Sequence, residues 1–203
     1  MIVLKRSSNY GVYETIQNVI FVIKTKFLFS TARMVRFPII IRGKRYINFG
    51  TNLTTGRNCR IEVNGEHSDK VLIFGKNVNI GDNVSIRCAN KIEIGNNVLI
   101  GSKVLILDNS HGKYSGNEQE SPDIPPNNRK IESKPVIIED NVWIGEGVII
   151  QQGVTIRKGS IVTANSVVTK NVPEEVIVGG VPANIIKKYD RESSVWIRVN
   201  ERE

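Results

Sequence analysis

Apolar residues recur at every sixth position through most of this chain, and turn-forming residues follow each of them at a fixed distance. One member of this column is polar and the others are apolar: Phe49, Thr55, Ile61, Phe74, Ile80, Ile86, Ile94, Ile100, Ile106, Ile138, Ile144, Ile150, Ile156, Val162 and Val168. Three positions further on, the residue is Gly or Asn in every case except Ala89 and Lys103. An internal period constrains the fold more strongly than any local signal, because each repeat is one structural unit.

Each six-residue unit predicts a short strand followed by a corner. In the unit Ile80–Ser85 the first side chain points inward, and the fourth residue, Asn83, turns the chain. Gly adopts a positive φ at no steric cost, and Asn is the next most tolerant residue there. Three strands and three corners close one triangular coil, and stacked coils align the apolar column into a continuous core. The pattern therefore predicts an all-β fold, a parallel β-helix of about five coils.

The repeat also sets the predicted domain organisation. Residues 49–170 form the β-helix, interrupted at 107–135 by a polar stretch that matches no regular element. Segments of that length without regular structure are usually functional when they occur inside a compact domain, so we expect an active-site loop there. Residues 171–203 form a C-terminal segment in which Pro182 to Tyr189 predicts a short helix, with Pro in its first turn.

Residues 1–48 precede the repeat as an extension with one predicted helix. Apolar residues occur at helical spacing between Tyr13 and Arg33, but the uncharged run Thr15–Ile23 is too short to span a bilayer. No signal-peptide cleavage pattern follows it. The helix either caps the first coil or lies in a membrane interface, since basic residues flank its apolar positions: Lys5, Arg6, Lys24, Lys26, Arg33 and Arg36.

The charge and cysteine content narrow the classes of ligand and the compartment. A formal net charge of +8 favours anionic ligands such as phosphates or lipid head groups. Basic residues are scattered and aromatic residues are few, which argues against a nucleic-acid-binding module. Cys59 and Cys88 fall at or beside inward positions, so we expect small buried hydrophobic residues in a reducing, cytoplasmic compartment.

The two histidines occupy different contexts. His67 lies in a polar excursion between repeat units and is expected to be a solvated loop residue. His111 follows the apolar run Val104–Leu107, at the point where the repeat gives way to the long loop. That position predicts an imidazole at the wall of the prism beneath a flexible segment, and an imidazole with a pKa near neutrality suits general-base catalysis.

Three motifs in order make the chain resemble a known enzyme family. They are His111-Gly112 after a coil, Asn141-Val142-Trp143-Ile144-Gly145 after the loop, and the terminal signature Val178-Gly179-Gly180-Val181-Pro182-Ala183. With them, the chain resembles the hexapeptide-repeat, left-handed β-helix acyltransferases over about residues 45–188. The closest resemblance is to galactoside/maltose O-acetyltransferases and to the polysaccharide O-acetyltransferases of surface-glycan gene clusters.

The resemblance implies a homotrimer with active sites in the clefts between neighbouring prisms, and acetyl-CoA as the acyl donor. The catalytic histidine of the family matches His111. Contacts to acetyl-CoA are expected at Gly145, Ala164, Thr169, Lys170 and Lys187, and contacts to the saccharide acceptor at Asn83, Asp108 and Trp143. For Asp108 the sequence leaves three roles open: orienting the imidazole, binding a sugar hydroxyl, or forming a plain corner.

Two positions depart from the family pattern. Galactoside enzymes have a Ser three residues after the Trp, where this chain has Glu146. A basic residue is expected three positions before Lys187, where this chain has Asn184. We therefore expect the outer phosphates of the cofactor to be held differently, by Lys188 or Arg157.

The predicted reaction is direct transfer of an acetyl group from acetyl-CoA to a saccharide hydroxyl. A sugar hydroxyl is too weakly acidic to attack a thioester unaided, so His111 would take its proton as the C–O bond forms. No Ser or Cys stands in a nucleophile motif, which disfavours an acyl-enzyme intermediate. We expect the acceptor to be a surface-polysaccharide precursor. The basic N-terminal segment fits work at the inner face of an anionic membrane that holds a lipid-linked glycan.

The sequence leaves other functions open for the same fold. The first is N-acetylation of an amino sugar on a nucleotide carrier, with the same base. A β-helical carbonic anhydrase requires three histidine ligands for zinc and this chain has two histidines, so we expect no metal. A non-catalytic trimeric scaffold would require that His111 points away from any cleft.

Overall fold

The computed structural model describes residues 11–199, which form one α-helix, two single-turn 3₁₀ helices and many short strands. Helix α1 spans Val12–Leu28, and the 3₁₀ turns span Lys44–Tyr46 and Pro126–Asn128. The strands, in chain order, are β1 (Met34–Val35), β2 (Ile39–Arg42), β3 (Ile47–Asn48), β4 (Thr54–Thr55), β5 (Cys59–Val63), β6 (Leu72–Phe74), β7 (Asn79–Ile80), β8 (Ser85–Cys88), β9 (Ile92–Ile94), β10 (Leu99–Ile100), β11 (Leu105–Leu107), β12 (Asn109–His111), β13 (Ile131–Ser133), β14 (Val136–Ile138), β15 (Trp143–Ile144), β16 (Ile149–Ile150), β17 (Thr155–Ile156), β18 (Ile161–Val162), β19 (Val167–Val168), β20 (Val176–Gly180), β21 (Ala183–Asp190) and β22 (Val195–Arg198).

Successive strands wind around three parallel sheets, which are the faces of a prism. Face A contains β1, β4, β7, β10, β15, β18 and β20; face B contains β2, β5, β8, β11, β16 and β19; face C contains β3, β6, β9, β14 and β17. Within a face, equivalent residues of successive coils lie side by side, as Leu99 does between Asn79 and Trp143. The prediction of a parallel β-helix is confirmed. We refer below to the turns from face A to face B as the A–B corner, and from face B to face C as the B–C corner.

The inward column fills the prism as the period predicts. Its members are buried, apart from the half-buried Phe49 at the open end of the first coils. The one polar member, Thr55, is fully buried and accepts a hydrogen bond from the Arg36 backbone N–H at 3.3 Å. Cys59 and Cys88 are free and buried, as predicted.

Asparagines stack at the corner between faces C and A. Asn52, Asn77, Asn97 and Asn141 all adopt a positive φ of 56–61°. The side-chain amides of the first three donate to the amide oxygen of the asparagine in the next coil, at 3.2, 3.0 and 3.2 Å along this series. The corner asparagines therefore turn the chain and also bond successive coils to each other.

The prism begins earlier than the six-residue period indicates. Face B has six strands, so the structure contains one coil more than the approximately five predicted. Val35 and Ile41 of the additional first coil lie in register with Thr55 and Ile61. The spacing then lengthens, because the 3₁₀ turn Lys44–Tyr46 inserts residues before the next strand. That insertion is why the predicted boundary at residue 49 is wrong.

Helix α1 lies along the side of the prism at the A–B corner. The Thr25 hydroxyl donates to the Phe21 carbonyl at 2.6 Å and accepts the Val35 N–H at 2.8 Å, and Arg57 donates to Gln17 Oε1 at 2.7 Å. The end of the prism is closed by residues that follow the helix, and the predicted helical cap is therefore wrong. Phe29 and Ala32 are buried in the core there, and the Phe29 ring packs edge-on against Phe49, with centroids 5.1 Å apart. Between residues 11 and 199 no helix is both long and apolar enough to cross a bilayer.

The predicted helix from Pro182 to Tyr189 is wrong. These residues form most of β21, which pairs antiparallel with β20 and with β22, so face A is extended to nine strands. The last coil exposes the unpaired edge of β20, and backbone pairing along that edge outweighs the weak preference for a helix given by an N-terminal proline. Lys187 consequently lies on a strand.

Candidate active site

Asp108 holds together the turn of the coil that precedes it. Its buried carboxylate accepts the backbone N–H groups of Ala89, Asn90 and Lys91 at 2.7, 2.7 and 2.8 Å, and the Asn109 side-chain amide at 2.9 Å. An ionised carboxylate has about four acceptor positions, so these bonds occupy it fully. The predicted contact of Asp108 with a sugar hydroxyl, or with the imidazole, is therefore corrected to a corner role. The residues that lengthen this turn have backbone N–H groups without partners in the sheets, and the Asp108 carboxylate accepts their hydrogen bonds.

His111 stands at the end of a hairpin that leaves the prism at the B–C corner. Strand β12 pairs antiparallel with β13, and His111 lies opposite Ile131. The predicted loop is therefore ordered at its base by two strands. Tyr114 donates a hydrogen bond to the His111 carbonyl and accepts one from Arg129 at 2.7 Å, which fixes the backbone of the histidine. The imidazole itself is exposed, and among residues 11–199 no side chain hydrogen-bonds to it.

Gln152, in the next coil, ties this hairpin to the prism. Its side-chain amide donates to the Ser110 hydroxyl at 3.0 Å, and that hydroxyl donates to the Gly112 carbonyl at 3.1 Å. The Gln152 amide oxygen is buried and has no hydrogen-bond partner within the described residues. Nothing in the sequence identifies this residue, because its contact with the hairpin exists only once the coils have stacked.

The predicted acetyl-CoA contacts divide between two corners of the prism. Thr169 and Lys170 lie exposed at the B–C corner, two coils beyond His111, which corresponds to about 10 Å of rise. Gly145 and Ala164 lie at the A–B corner. A Cβ on Gly145 would meet the Ala164 nitrogen at 2.6 Å, so glycine at that position is required by the stacking of coils.

Two of the predicted acceptor contacts, Asn83 and Trp143, lie on another side of the prism from His111. Asn83 is exposed at the A–B corner, with a φ of 58°. Trp143 projects from the middle of face A and is 50% exposed, beside the similarly exposed Leu99. A six-residue unit rising about 3.3 Å per residue separates neighbouring corners by roughly 15–20 Å. One chain therefore does not bring His111 together with Trp143 or Asn83.

Cations gather on the C-terminal strands beyond face A. Lys187 of β21 pairs with Arg198 of β22, so the two side chains project from the same side of the sheet. Lys188 is next in the strand and projects from the opposite side. Like charges directly opposite each other are unfavourable unless an anion lies between them. Arg198 was not singled out from the sequence, because its pairing with Lys187 depends on β22.

The side chains at the two positions that depart from the family pattern both form hydrogen bonds with nearby residues of the same chain. Glu146 accepts a hydrogen bond from Lys103 at 2.9 Å, and this bond raises the pKa of the lysine. The Asn184 side-chain amide donates to the Pro182 carbonyl at 3.2 Å. Arg157 is exposed at the corner between faces C and A.

The cysteines are poor nucleophiles in this environment. Burial and the neighbouring Asp108 carboxylate raise the pKa of the Cys88 thiol, and burial likewise raises the pKa of Cys59. His67 Nε2 donates a hydrogen bond to the Asn64 carbonyl, 2.9 Å away in the polar excursion. Within the described part of the chain, no group of three His, Cys, Asp or Glu side chains lies close enough together to hold a metal ion.

Comparisons with known proteins agree with this architecture. A family model described as the hexapeptide repeat of succinyl-transferase matches residues 135–170. The chain is 40% identical over 195 residues to WbbJ of Escherichia coli K12, a candidate lipopolysaccharide biosynthesis O-acetyl transferase; the match covers 96% of this chain and 98% of that protein.

Two solved structures extend the comparison. A hexapeptide-repeat acetyltransferase from Vibrio cholerae, in complex with acetyl coenzyme A, is 33% identical, with a TM-score of 0.54 over 71% of this chain and 70% of that one. A mutant of AntD, an N-acyltransferase from Bacillus cereus, in complex with dTDP-4-amino-4,6-dideoxyglucose and coenzyme A, is 23% identical. Its TM-score is 0.66 over 80% of this chain and 83% of that one, and it supports the fold alone.

Proposed function

The chain belongs to the hexapeptide-repeat acetyltransferase family, whose members transfer acyl groups from coenzyme A, and we propose that it acetylates a hydroxyl group of a saccharide. It is an acetyl-CoA-dependent enzyme with the left-handed β-helix of that family. The relative of 40% identity, named for lipopolysaccharide O-acetyl transfer, supports a surface-polysaccharide precursor as the acceptor.

The observation that carries the mechanism is the position of His111. Its backbone is fixed by the hairpin and by Tyr114, while its imidazole is exposed and has no hydrogen-bond partner within residues 11–199. An imidazole held in this way can accept a proton from a ligand and return it to a leaving group. The buried cysteines with raised pKa values favour direct transfer over an acyl-enzyme intermediate.

The proposed reaction proceeds in two stages. The His111 imidazole takes the proton of the acceptor hydroxyl while the hydroxyl oxygen forms a bond to the thioester carbonyl carbon. The resulting oxyanion is stabilised by backbone N–H groups. The C–S bond then breaks, and the imidazolium gives its proton to the departing thiolate, so that the products are an acetyl ester and free coenzyme A.

The separation of the site residues supports a homotrimer with its active sites between chains. His111 at the B–C corner of one prism would meet Trp143 and Asn83 of a neighbouring prism, which one chain keeps apart. Outward Leu99 and Trp143 on face A also form an exposed apolar area of a kind that usually marks an interface. A site assembled in this way is complete only in the oligomer.

Acetyl-CoA would lie along the prism from the histidine toward the C-terminal strands. The thioester would lie near His111 of one prism, with Gly145 and Ala164 of the neighbouring prism along the pantetheine arm, because these two residues lie at the A–B corner and the histidine at the B–C corner. Thr169 and Lys170 would lie further along, and the phosphates would be bound by cations of the last coils. The Lys187–Arg198 pair supplies two positive charges there, and so replaces the basic residue that is absent at Asn184.

The test compares matched acceptors and identifies the bond that is formed. The purified enzyme is incubated with acetyl-CoA and a panel of saccharides, in which each hydroxyl acceptor is paired with its amino analogue on a nucleotide carrier. Thiol release measures transfer, and exposure of the product to mild alkali cleaves an ester but leaves an amide intact. Alkali-labile product from the hydroxyl acceptors is expected. Alkali-stable product from the amino sugars alone would establish the N-acetyltransferase reading instead.

A further inference from the structure

The outward side of α1 is apolar along its whole length, and nothing in the described chain covers it. Five of its residues lie at helical spacing on the side opposite the contacts with the prism: Tyr13, Ile16, Ile20, Ile23 and Phe27. We call this row the α1 stripe. Its side chains are between 44% and 86% exposed, whereas Phe21 and Thr25 on the inner side are buried. An exposed apolar row of this length on a water-soluble surface marks an interaction site.

Lysines flank the stripe on both sides. Lys24 and Lys26 lie on α1 itself, to either side of Phe27, and both are exposed. Lys44 donates to the Leu28 carbonyl at 2.8 Å and adds a third cation at the end of the helix. Lysines near a helix C-terminus also complement the helix dipole, which accounts for their position along the axis. The dipole does not account for the apolar row between them.

A second copy of α1 is a poor partner for this surface. The stripe has the alternating three- and four-residue spacing of a helix–helix seam, but it extends over only about two heptads, fewer than the three or four that a coiled coil sustains. Stable seams place opposite charges beside the apolar row. Here the flanking charged positions are Lys24 and Lys26, and the one acidic residue of the helix, Glu14, lies on the inner side. Symmetric parallel pairing would therefore oppose lysine to lysine.

A membrane surface with anionic lipids complements both features. An amphipathic helix of this kind lies in the plane of the interface, with its apolar side in the boundary between head groups and acyl chains and its lysines at the phosphates. We propose that α1 docks this enzyme on the anionic surface of a membrane through the α1 stripe, Lys24 and Lys26.

Docking through α1 would bring the proposed acceptor side of the prism to the membrane. The inner side of the helix and the A–B corner enclose a cavity of about 350 Å³, lined by Glu14, Arg36, Arg57, Asp82 and Ser102 among others. Asn83 and Gly145 lie at the same corner. This arrangement suits a glycan whose reducing end is held in a bilayer by a lipid. It deepens the proposed function, but vesicle binding can be measured independently of acetyl transfer. Lys5 and Arg6, which the sequence analysis grouped with this surface, lie outside the described residues.

The experiment measures binding of the full chain to vesicles by flotation, using phosphatidylcholine alone or with one third phosphatidylglycerol. Two variants are compared with the wild type: I20Q/I23Q, which removes apolar area from the stripe, and K24Q/K26Q, which removes its cations. The control K76Q/K158Q removes the same charge from exposed positions elsewhere. Circular dichroism checks the fold, and light scattering checks the oligomeric state.

The wild type and the control are expected to float with the anionic vesicles. Both α1 variants should partition at least tenfold more weakly: K24Q/K26Q because each lysine near an anionic surface contributes about a further fivefold to binding, and I20Q/I23Q because two apolar side chains no longer enter the acyl boundary. Transfer to a water-soluble acceptor should be unchanged, which separates this proposal from the proposed function. Failure of the folded wild type to bind anionic vesicles would overturn the proposal. It would also be overturned if I20Q/I23Q dissociated the oligomer while leaving vesicle binding intact, since a second copy would then cover the stripe.

Discussion

At the scale of single residues, hydrogen bonding separates the groups that hold the fold from those left for a ligand. The four acceptor positions of Asp108 are all occupied by protein donors. The His111 imidazole and the Gln152 amide oxygen, by contrast, have no partners within residues 11–199, although both lie at the same hairpin. Gln152 is far from the histidine in sequence, so proximity in sequence did not identify it as a residue that supports the hairpin.

Replacing His111 with Ala should remove most acetyl transfer and leave the fold intact. Loss of a general base typically lowers kcat by about 10²–10⁴-fold. Because the exposed imidazole makes no contact that holds the hairpin, the thermal midpoint and the affinity for acetyl-CoA should stay at the wild-type values. Steady-state kinetics and calorimetric titration with acetyl-CoA measure the two effects. A variant that keeps more than a tenth of kcat would point to another base.

Gln152 is expected to act as a positioning residue for the histidine. Gln152→Ala removes the bond to Ser110 that holds the hairpin against the next coil, so kcat should fall by about tenfold to a hundredfold. The KM for acetyl-CoA should change little, because Gln152 acts on the hairpin through Ser110 and is not among the proposed acetyl-CoA contacts. Gln151→Ala, at the exposed neighbouring position, is the matched control. An equal effect of both variants, or a parallel loss of thermal stability, would argue for a general structural role.

The Lys187–Arg198 pair should determine the affinity for the phosphates of acetyl-CoA. Lys187→Ala and Arg198→Ala are each expected to raise the KM for acetyl-CoA several-fold, more strongly at low salt, where the charges are least screened, with kcat little altered. With acetyl-pantetheine, which lacks the nucleotide phosphates, the variants and the wild type should behave alike. Lys188→Ala removes a charge from the opposite side of the strand and should have no effect. A larger effect at Lys188 would place the phosphates on that side of the sheet.

At the scale of elements, irregularities in the repeat coincide with the functional parts of the molecule. The B–C corner is longer than the six-residue unit requires in four neighbouring coils, and the last two of these are the turn held by Asp108 and the hairpin that carries His111. The turn held by Asp108 gives the hairpin a fixed base, since the Lys134 N–H donates to the Asp108 carbonyl at 2.9 Å. The C-terminal strands are a further irregularity, because they reverse direction and bring Lys187 beside Arg198.

The turn at Ala89–Lys91 should depend on the Asp108 carboxylate. Asp108→Ala leaves three backbone N–H groups without their acceptor in a partly buried corner, which costs about 1–3 kcal/mol for each group that water cannot reach. We expect the free energy of unfolding to fall by roughly 3 kcal/mol or more. Denaturant unfolding measures this change. Asn109→Ala, which loses one bond at the edge of the same cluster, should cost less. Wild-type stability in the Asp108 variant would contradict this role.

At the scale of the whole molecule, the prism distributes the proposed site over sides that do not face each other. The B–C corner carries His111 and Lys170, whereas the A–B corner carries Asn83 and Ala164. Trp143 lies between corners on face A. A neighbouring chain is the simplest source of the missing half of each site, and this supports the proposed homotrimer.

Subunit mixing tests whether each site draws on two chains. His111→Ala and Trp143→Ala enzymes, each inactive alone, are mixed under conditions that permit subunit exchange. If one chain supplies the histidine and its neighbour the tryptophan, random mixing should restore about a quarter of the wild-type activity. Light scattering verifies that the mixture is trimeric. Trimers that exchange subunits and stay inactive would show that both residues act from the same chain.

The sequence by itself determined the parallel β-helix, its inward column and its corner residues. Each of these depends on a six-residue unit that is buried or turned in the same way in every coil, so a local period carries the information. The loop at 107–135 and the candidate base His111 followed from the place where that period stops.

Only the tertiary structure decided the additional first coil, the C-terminal strands, the corner role of Asp108 and the contact of Gln152 with the hairpin. These features depend on backbone groups and side chains that meet across coils or along a free sheet edge. Residues brought together in this way are far apart in sequence and share no period. Their pairing is fixed by which donors and acceptors remain unsatisfied after the coils have stacked.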